Sequence, residues 1–522
     1  MRRKEEVAKQ KKGIESPKKN NAVFDEIYRY FGAILSRVKP FFTTPISDRK
    51  AFIIYVWIFV ILSLPVFIKP LGYIPAFQFY FEGLGEYYAT YYHPLARSTF
   101  LSEVDSLGYY AYMPSIILDH DLDFTNQFNP YGFNPPLTKK GVPANGFSIG
   151  PSLMWAPFFI LGHMLAVFAN IFGANAPLNG YSLFYELPCF FATIFYAFFA
   201  ILLTYWLCRS FFNSRNSFYA TIFTLFATPI IFYIEFEPSM SHALSYLSSV
   251  ACVYFYHRNM EKRSLLGWSV VGFFGGLTTL IRWQCATLIF FVLLVDVIFV
   301  AINSLKTKDH MFFIRNVAGW SVCGFVSLLA FMPQIIVWFA PFGFLADLSE
   351  IPQVTTDISK YLHPAIFETL FSYVHGLFTW TPIAVPALIG FWILTKRRFS
   401  SVLVIIWLFF FSQVYLIGAS DWTSGWSFGQ RRLIEAMVFI PLGLGEILER
   451  IEGKKVLYSA GIALGFFFVW WNVVFIFQWI FRYIPGGGLV ENFAQLTYDK
   501  FWVFPIMLRR MIVPITGLFN IW

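Results

Sequence analysis

The sequence predicts an all-α polytopic membrane protein, and three observations carry the prediction. Hydrophobic residues make up 57% of the 522 and charged residues only 13%. Stretches of roughly 20 residues run with little or no charge, the length of helix that crosses a hydrocarbon core of about 30 Å. They are apolar all round, as lipid-embedded helices are, where a soluble domain would show polar faces. Short connections rich in Lys and Arg recur between alternate stretches, as cytoplasmic loops do. Together these predict roughly 11–13 transmembrane helices with a large first loop on the extracytoplasmic side.

Residues 1–49 read as a basic cytoplasmic tail. The first 50 residues carry 13 Lys and Arg against 6 Asp and Glu, which is +7 of the net +9. Nucleic acid would also attract such a tail, but contact with anionic membrane lipid explains it more simply, so no nucleic-acid partner is expected. The first apolar run begins near Ala51, too far in and too long for a signal peptide. The expected location is the plasma (inner) membrane, multi-pass, with the N-terminus cytoplasmic. All five cysteines lie in or beside apolar runs without a CxxC pair, so they read as core fillers.

Candidate spans cover 51–69, 183–208, 217–235, 242–257, 266–281, 284–303, 316–340, 376–394, 401–418, 433–448 and 456–481. Simple alternation puts the basic connections 209–215, 258–263, 306–315, 396–398 and 454–455 on one side, with the basic tail. The stretch 152–172 is also apolar and long enough to cross. Counted as a full crossing, it would invert everything after it. It is therefore expected to be a re-entrant or interfacial helix on the outer face, or to pair with an unnoticed crossing, and to floor a cavity. The organisation is thus a transmembrane domain over 50–482, in which 70–151 form the first outer loop with interfacial helices. Residues 483–522 follow as an outer loop with a C-terminal span or amphipathic helix.

Polar residues collect in the outer connections. Between 71 and 151 acidic residues outnumber basic ones seven to three, and Glu103, Asp105, Asp119, Asp121 and Asp123 crowd just before Phe124. Ionisable groups beside a membrane are functional candidates. Asp105 and Tyr109, four apart, share a helix face. Asp119, Asp121 and Asp123 either shape the loop or touch the sugar of a substrate. A second cluster, EFEPSMSH, offers Glu237 and His242 at a Pro238 break. Arg282 stands where two apolar spans meet, and its fork suits a phosphate. In SDWTSGWSFGQRR, the outward Arg431 and Arg432 oppose the positive-inside trend and suit an anion. Trp422 and Trp426 can stack on a sugar or anchor at the interface. Lys139 adds positive charge in the first loop. This set suits a substrate with a phosphate head and a lipid tail.

At these residues the chain resembles the GT-C superfamily of integral-membrane glycosyltransferases, which includes protein mannosyltransferases and lipid A aminoarabinose transferases. The resemblance covers about residues 50–450 and rests on two motifs. One is the Asp-x-x-x-Tyr of Asp105 and Tyr109 in a large outer loop, and the other is the helix start Gly150-Pro151-x-Leu153-x-Trp155. It implies transfer of a sugar from a polyprenyl-phosphate donor to an acceptor hydroxyl on the extracytoplasmic face, with inversion and with Asp105 as base. The acceptor would be a lipid, a glycan or a protein, and partners would include membrane lipids and other membrane-complex subunits. Ser106 stands where the family usually has a second acid, so Glu103 is the candidate to share the role. The basic residue before the helix start in the aminoarabinose branch is absent, which leaves Lys139, Arg282, Arg431 and Arg432 to hold the donor phosphate. Tyr109, Asp121, Asp123, Glu237, His242, Trp422 and Trp426 are the candidate substrate contacts. No cofactor is demanded, and His242 near carboxylates leaves a divalent metal open. Two alternatives stand beside this reading, a transporter or flippase of lipid-linked sugars and a catalytically silent membrane scaffold subunit with a GT-C fold.

Overall fold

The computed structural model describes residues 46–68, 100–101, 104–138, 140–339, 358–420, 422–423, 425, 427–480, 483–484 and 493–506. The architecture is all-α, and the described residues contain no β-strand beyond one isolated bridge between Leu137 and Pro143. Seven described helices are long and apolar enough to cross a membrane. They are α1 (Asp48–Ile68), α3 (Gly150–Ile171), α4 (Leu183–Arg209), α9 (Ala286–Thr307), α10 (His310–Phe339), α12 (Ser401–Ala419) and α14 (Lys455–Ile480). Further described helices include α2 (Val104–Tyr110), α5 (Ser214–Phe226), α6 (Ile230–Glu235), α7 (His242–Lys262), α8 (Leu265–Ile281), α11 (Ala384–Arg397) and α13 (Phe439–Ile451). Residues 1–45 of the basic tail, residues 70–99 of the first outer loop and most of 483–522 lie outside the described residues.

The basic connections meet at one end of the bundle. Arg209 binds Asp48 at 2.7 Å, and Tyr205 donates to the same carboxylate. Arg398 donates to the Phe211 carbonyl, and Asn213 and Asn216 both donate to Glu452. At the α7–α8 corner, Arg263 grips Asp296 with both terminal nitrogens and also reaches Asn316. Tyr256 links Asp296 to Ser401, the first residue of α12. Charges cannot sit alone in apolar surroundings, and Arg209, Arg263 and Arg398 are each tied to a carboxylate or carbonyl of another segment. Cysteines introduced at Lys454 and Asn134 should therefore be labelled from opposite sides of a sealed membrane. Labelling of both by one impermeant reagent from the same side would overturn this arrangement.

The stretch expected to be re-entrant or interfacial, or to pair with an unnoticed crossing, forms a continuous helix, α3, that is itself long and apolar enough to cross a membrane and packs antiparallel on α4. Trp155 donates to Thr193, Tyr196 donates to the Met154 carbonyl, and His163 meets Tyr185. Each step along α3 is thus a step back along α4, which brings Gly150 opposite roughly residue 198. Arg209 lies another eleven residues on, about 16 Å at the α-helical rise. So α3 starts part-way along α4 and runs away from the basic end.

Several spans read from the sequence are interrupted, and the interruptions gather in one place. The run 217–235 breaks between α5 and α6 at Thr228–Pro229, and 433–448 begins as a 3-10 turn over Arg431–Ala436 before α13. Between α8 and α9 the chain turns through Arg282 in extended conformation. Tyr233 on α6 donates to the Phe428 carbonyl, which brings the first break against the second. Irregular backbone at membrane depth persists where it is buried in protein or lines a cavity.

Candidate functional site

Helix α2 carries Asp105 and Tyr109 and is fixed by its own apolar and aromatic residues. Leu107, Tyr109, Tyr110 and Tyr112 are buried, and Gly108 lies against the Phe147 ring. Tyr110 donates to the Gly180 carbonyl, Tyr112 to that of Phe147, and Asn145 to that of Gly108. Ser152 donates to the Tyr109 carbonyl, tying α2 to the start of α3. Burial raises the Tyr109 phenol above its usual range, so the hydroxyl stays protonated at neutral pH.

Asp105 points from this frame to Arg431. Its Oδ2 accepts from Arg431 Nη2 at 3.1 Å, and its Oδ1 has no hydrogen-bond partner among the described residues. The Asp105 side chain is 36% exposed and that of Arg431 9%, so the carboxylate is the accessible member of the pair. The loop before Arg431 needs Gly429, whose φ is +65° and whose added Cβ would stand 2.8 Å from Pro229.

Arg282 reaches the same region from the α8–α9 corner. Its backbone N–H closes α8 on the Thr278 carbonyl. Its Nε donates to Glu435 Oε1 at 3.0 Å, and Nη1 donates to Ser241 Oγ at 3.1 Å and faces His242 Nδ1 at 3.4 Å. Nη2 has no hydrogen-bond partner among the described residues. Ser241 donates in turn to the Tyr109 hydroxyl at 3.4 Å, which connects Arg282 to the Asp105 helix.

The Gly150–Pro151 start of α3 abuts this corner. Ser148 donates to the Ile281 carbonyl, and a Cβ on Gly150 would sit 2.6 Å from the Leu280 carbonyl and the Ile281 nitrogen. Gly150→Ala should therefore push α3 away from the residue preceding Arg282. The expected cost is about 1–3 kcal/mol of stability, read as a lower unfolding temperature in detergent; an unchanged temperature would show that the contact is soft.

The remaining candidates fall into three groups. His242 is buried with its ring 4.7 Å from that of Tyr233, and Glu237 is buried at the turn before it. Arg432 is half-buried beside Arg431, and the Trp422 carbonyl accepts from Gln430. Asp121 accepts from Ser115 and the Asp123 N–H, Asp123 from Thr125, and Asp119 from Asn126 and Gln127, so these three brace their own loop. Glu103, Lys139 and Trp426 lie outside the described residues. No group of three or more His, Cys, Asp or Glu that could hold a metal is found among the described residues. The residue that sequence reasoning missed is Glu435. Its signal was present as a lone carboxylate at the head of an apolar run.

No family model matches this chain, and no curated protein matches it either. Among solved structures it is similar to the archaeal oligosaccharyltransferase AglB from Archaeoglobus fulgidus, determined with an inhibitory peptide and a dolichol-phosphate. That similarity has 12% identity and a TM-score of 0.42, over 82% of this chain and 55% of that one. An apo crystal structure of the Archaeoglobus fulgidus oligosaccharyltransferase gives 11% identity and a TM-score of 0.42, over 86% and 59%. The chain spans a little over half the length of these structures.

Proposed function

We propose that the protein is a GT-C-type membrane glycosyltransferase that moves a sugar from a polyprenyl-phosphate donor to an acceptor hydroxyl on the extracytoplasmic face. One observation carries the reading. At the meeting point of the broken helices, Asp105 keeps one carboxylate oxygen, and Arg282, anchored on two sides, keeps one terminal nitrogen, without a hydrogen bond among the described residues. A base and an anion contact are thereby offered in one network, joined through Tyr109 and Ser241.

The chemistry balances with these groups alone. Asp105 Oδ1 takes the proton of the acceptor hydroxyl as its oxygen attacks the anomeric carbon. The bond from that carbon to the phosphate oxygen breaks, and its electron pair leaves with the lipid phosphate. Direct displacement inverts the anomeric centre. Arg282 Nη2 and Arg431 face the charge that grows on the leaving phosphate, and fixed donors of this kind are often the largest catalytic contribution. A phosphate is already a stable anion, so no strong general acid is required. Arg432 and, by the sequence reading, Lys139 add positive potential around the head group. Asp121, Asp123, Glu237, His242, Trp422 and Trp426 remain candidates for the sugar or acceptor, with Glu103 as a second acid.

The test uses the full chain in lipid nanodiscs with a prenyl-phosphate-linked sugar and a hydroxyl acceptor. Release of prenyl phosphate that requires Asp105 supports the reading. Transport of an intact lipid-linked sugar with no release would favour the transporter alternative, and neither activity would favour a silent scaffold.

A further inference from the structure

Glu435 is a buried carboxylate for which the proposed reaction has no step. Its side chain has no exposed surface. Oε1 accepts from Arg282 Nε at 3.0 Å and from Gln284 Nε2 at 3.3 Å, and lies 3.6 Å from Cys285 Sγ. Oε2 has no partner. Stability alone does not explain this choice, because a buried ion pair is often no better than an apolar pair of the same volume. A half-satisfied carboxylate is a costly way to fill space.

We infer that Glu435 is a positioning residue acting through Arg282, which it orients and whose charge it offsets so that a phosphate monoester is held weakly enough to leave. The inference rests on the reading of Arg282 as the phosphate contact. Three chain segments hold the guanidinium: the α8–α9 corner bears it, the 3-10 turn of Glu435 takes Nε, and Ser241 before α7 takes Nη1. The plane of the guanidinium is thus fixed, and Nη2 is the nitrogen left over.

The charge matters for a separate reason. A sugar-bearing lipid phosphate is a diester with one negative charge. Once the sugar is gone the product is a monoester, whose second ionisation near pH 6 brings it close to two. Two uncompensated, poorly hydrated arginines would hold that product more tightly than the donor, and turnover would stall at release. Glu435 on Arg282 and Asp105 on Arg431 offset the charges of these two arginines in the resting site.

Glu435→Gln separates charge from shape, since the amide oxygen can still accept from Arg282 Nε. The full chain in nanodiscs is titrated with farnesyl phosphate. Glu435→Gln should bind it about tenfold more tightly than the wild type, with kcat and KM both lowered in turnover. Glu435→Asp, which keeps the charge, should show no tightening. Inorganic phosphate competing with the farnesyl compound should show the same gain, because the effect lies in the head group; a gain confined to the prenyl compound would overturn the assignment. Unchanged or weaker binding by Glu435→Gln, with binding still dependent on Arg282, would also overturn it. Failure of the wild type to bind farnesyl phosphate, or equal binding without Arg282, would instead remove the phosphate reading itself.

Discussion

Asp105→Asn should lower the rate of sugar transfer by about 10²–10⁴-fold, the usual contribution of a positioned general base. Donor KM should stay unchanged or fall, and the direction follows from the ion pair. Asn is nearly the same size, and its amide oxygen can still accept from Arg431, so α2 keeps its anchors through Tyr110, Tyr112 and Asn145. The negative charge is lost, and Arg431 becomes freer to attract a phosphate. A loss of kcat with undiminished donor binding is the signature of an interaction made in the transition state. If Asp105 served only as counter-charge to Arg431, the same variant would bind donor more tightly and keep most of its kcat. Single-turnover rates with pre-bound donor separate the two outcomes, and a rate within threefold of wild type would remove Asp105 from the chemistry.

The parts of this protein that follow from charge and periodicity were legible in its sequence. Basic corners had to lie together, and the contacts of Arg209, Arg263 and Arg398 gather them at one end. The stretch 152–172 reads in sequence as re-entrant, interfacial or paired with an unnoticed crossing, and the structure has a continuous helix there, antiparallel to α4. Helix interruptions were less legible. Hydropathy averages over a window, so 433–448 reads as one span although its head is a 3-10 turn that presents Glu435. The pairing of Arg282 with Glu435 joins residues 153 apart in the chain, and only the packing of the α8–α9 corner on that turn brings them together. For the acidic stretch the lesson is finer. The sequence set Asp105 apart by its spacing to Tyr109; in the structure Asp119, Asp121 and Asp123 are occupied by their own loop, while Asp105 alone of the four described is ion-paired to an arginine from the far part of the chain.

Arg282→Ala should have two effects that must be kept apart. It leaves Glu435 buried without its cation, at an expected cost of about 3–5 kcal/mol in stability. It also removes the proposed phosphate contact, which should raise donor KM roughly 10–100-fold, the range of a charge-assisted hydrogen bond. The paired variant Arg282→Gln with Glu435→Gln removes both charges from the same spot and should recover most of the lost stability. Its donor KM should nevertheless remain high, because no cation faces the phosphate there. Recovery of both stability and donor affinity in the paired variant would mean that Arg282 serves the fold alone, and that the phosphate is met by Arg431, Arg432 or Lys139. Recovery of stability without affinity leaves one physical account. Glu435 then holds Arg282 in place, and Arg282 in turn is held for the substrate.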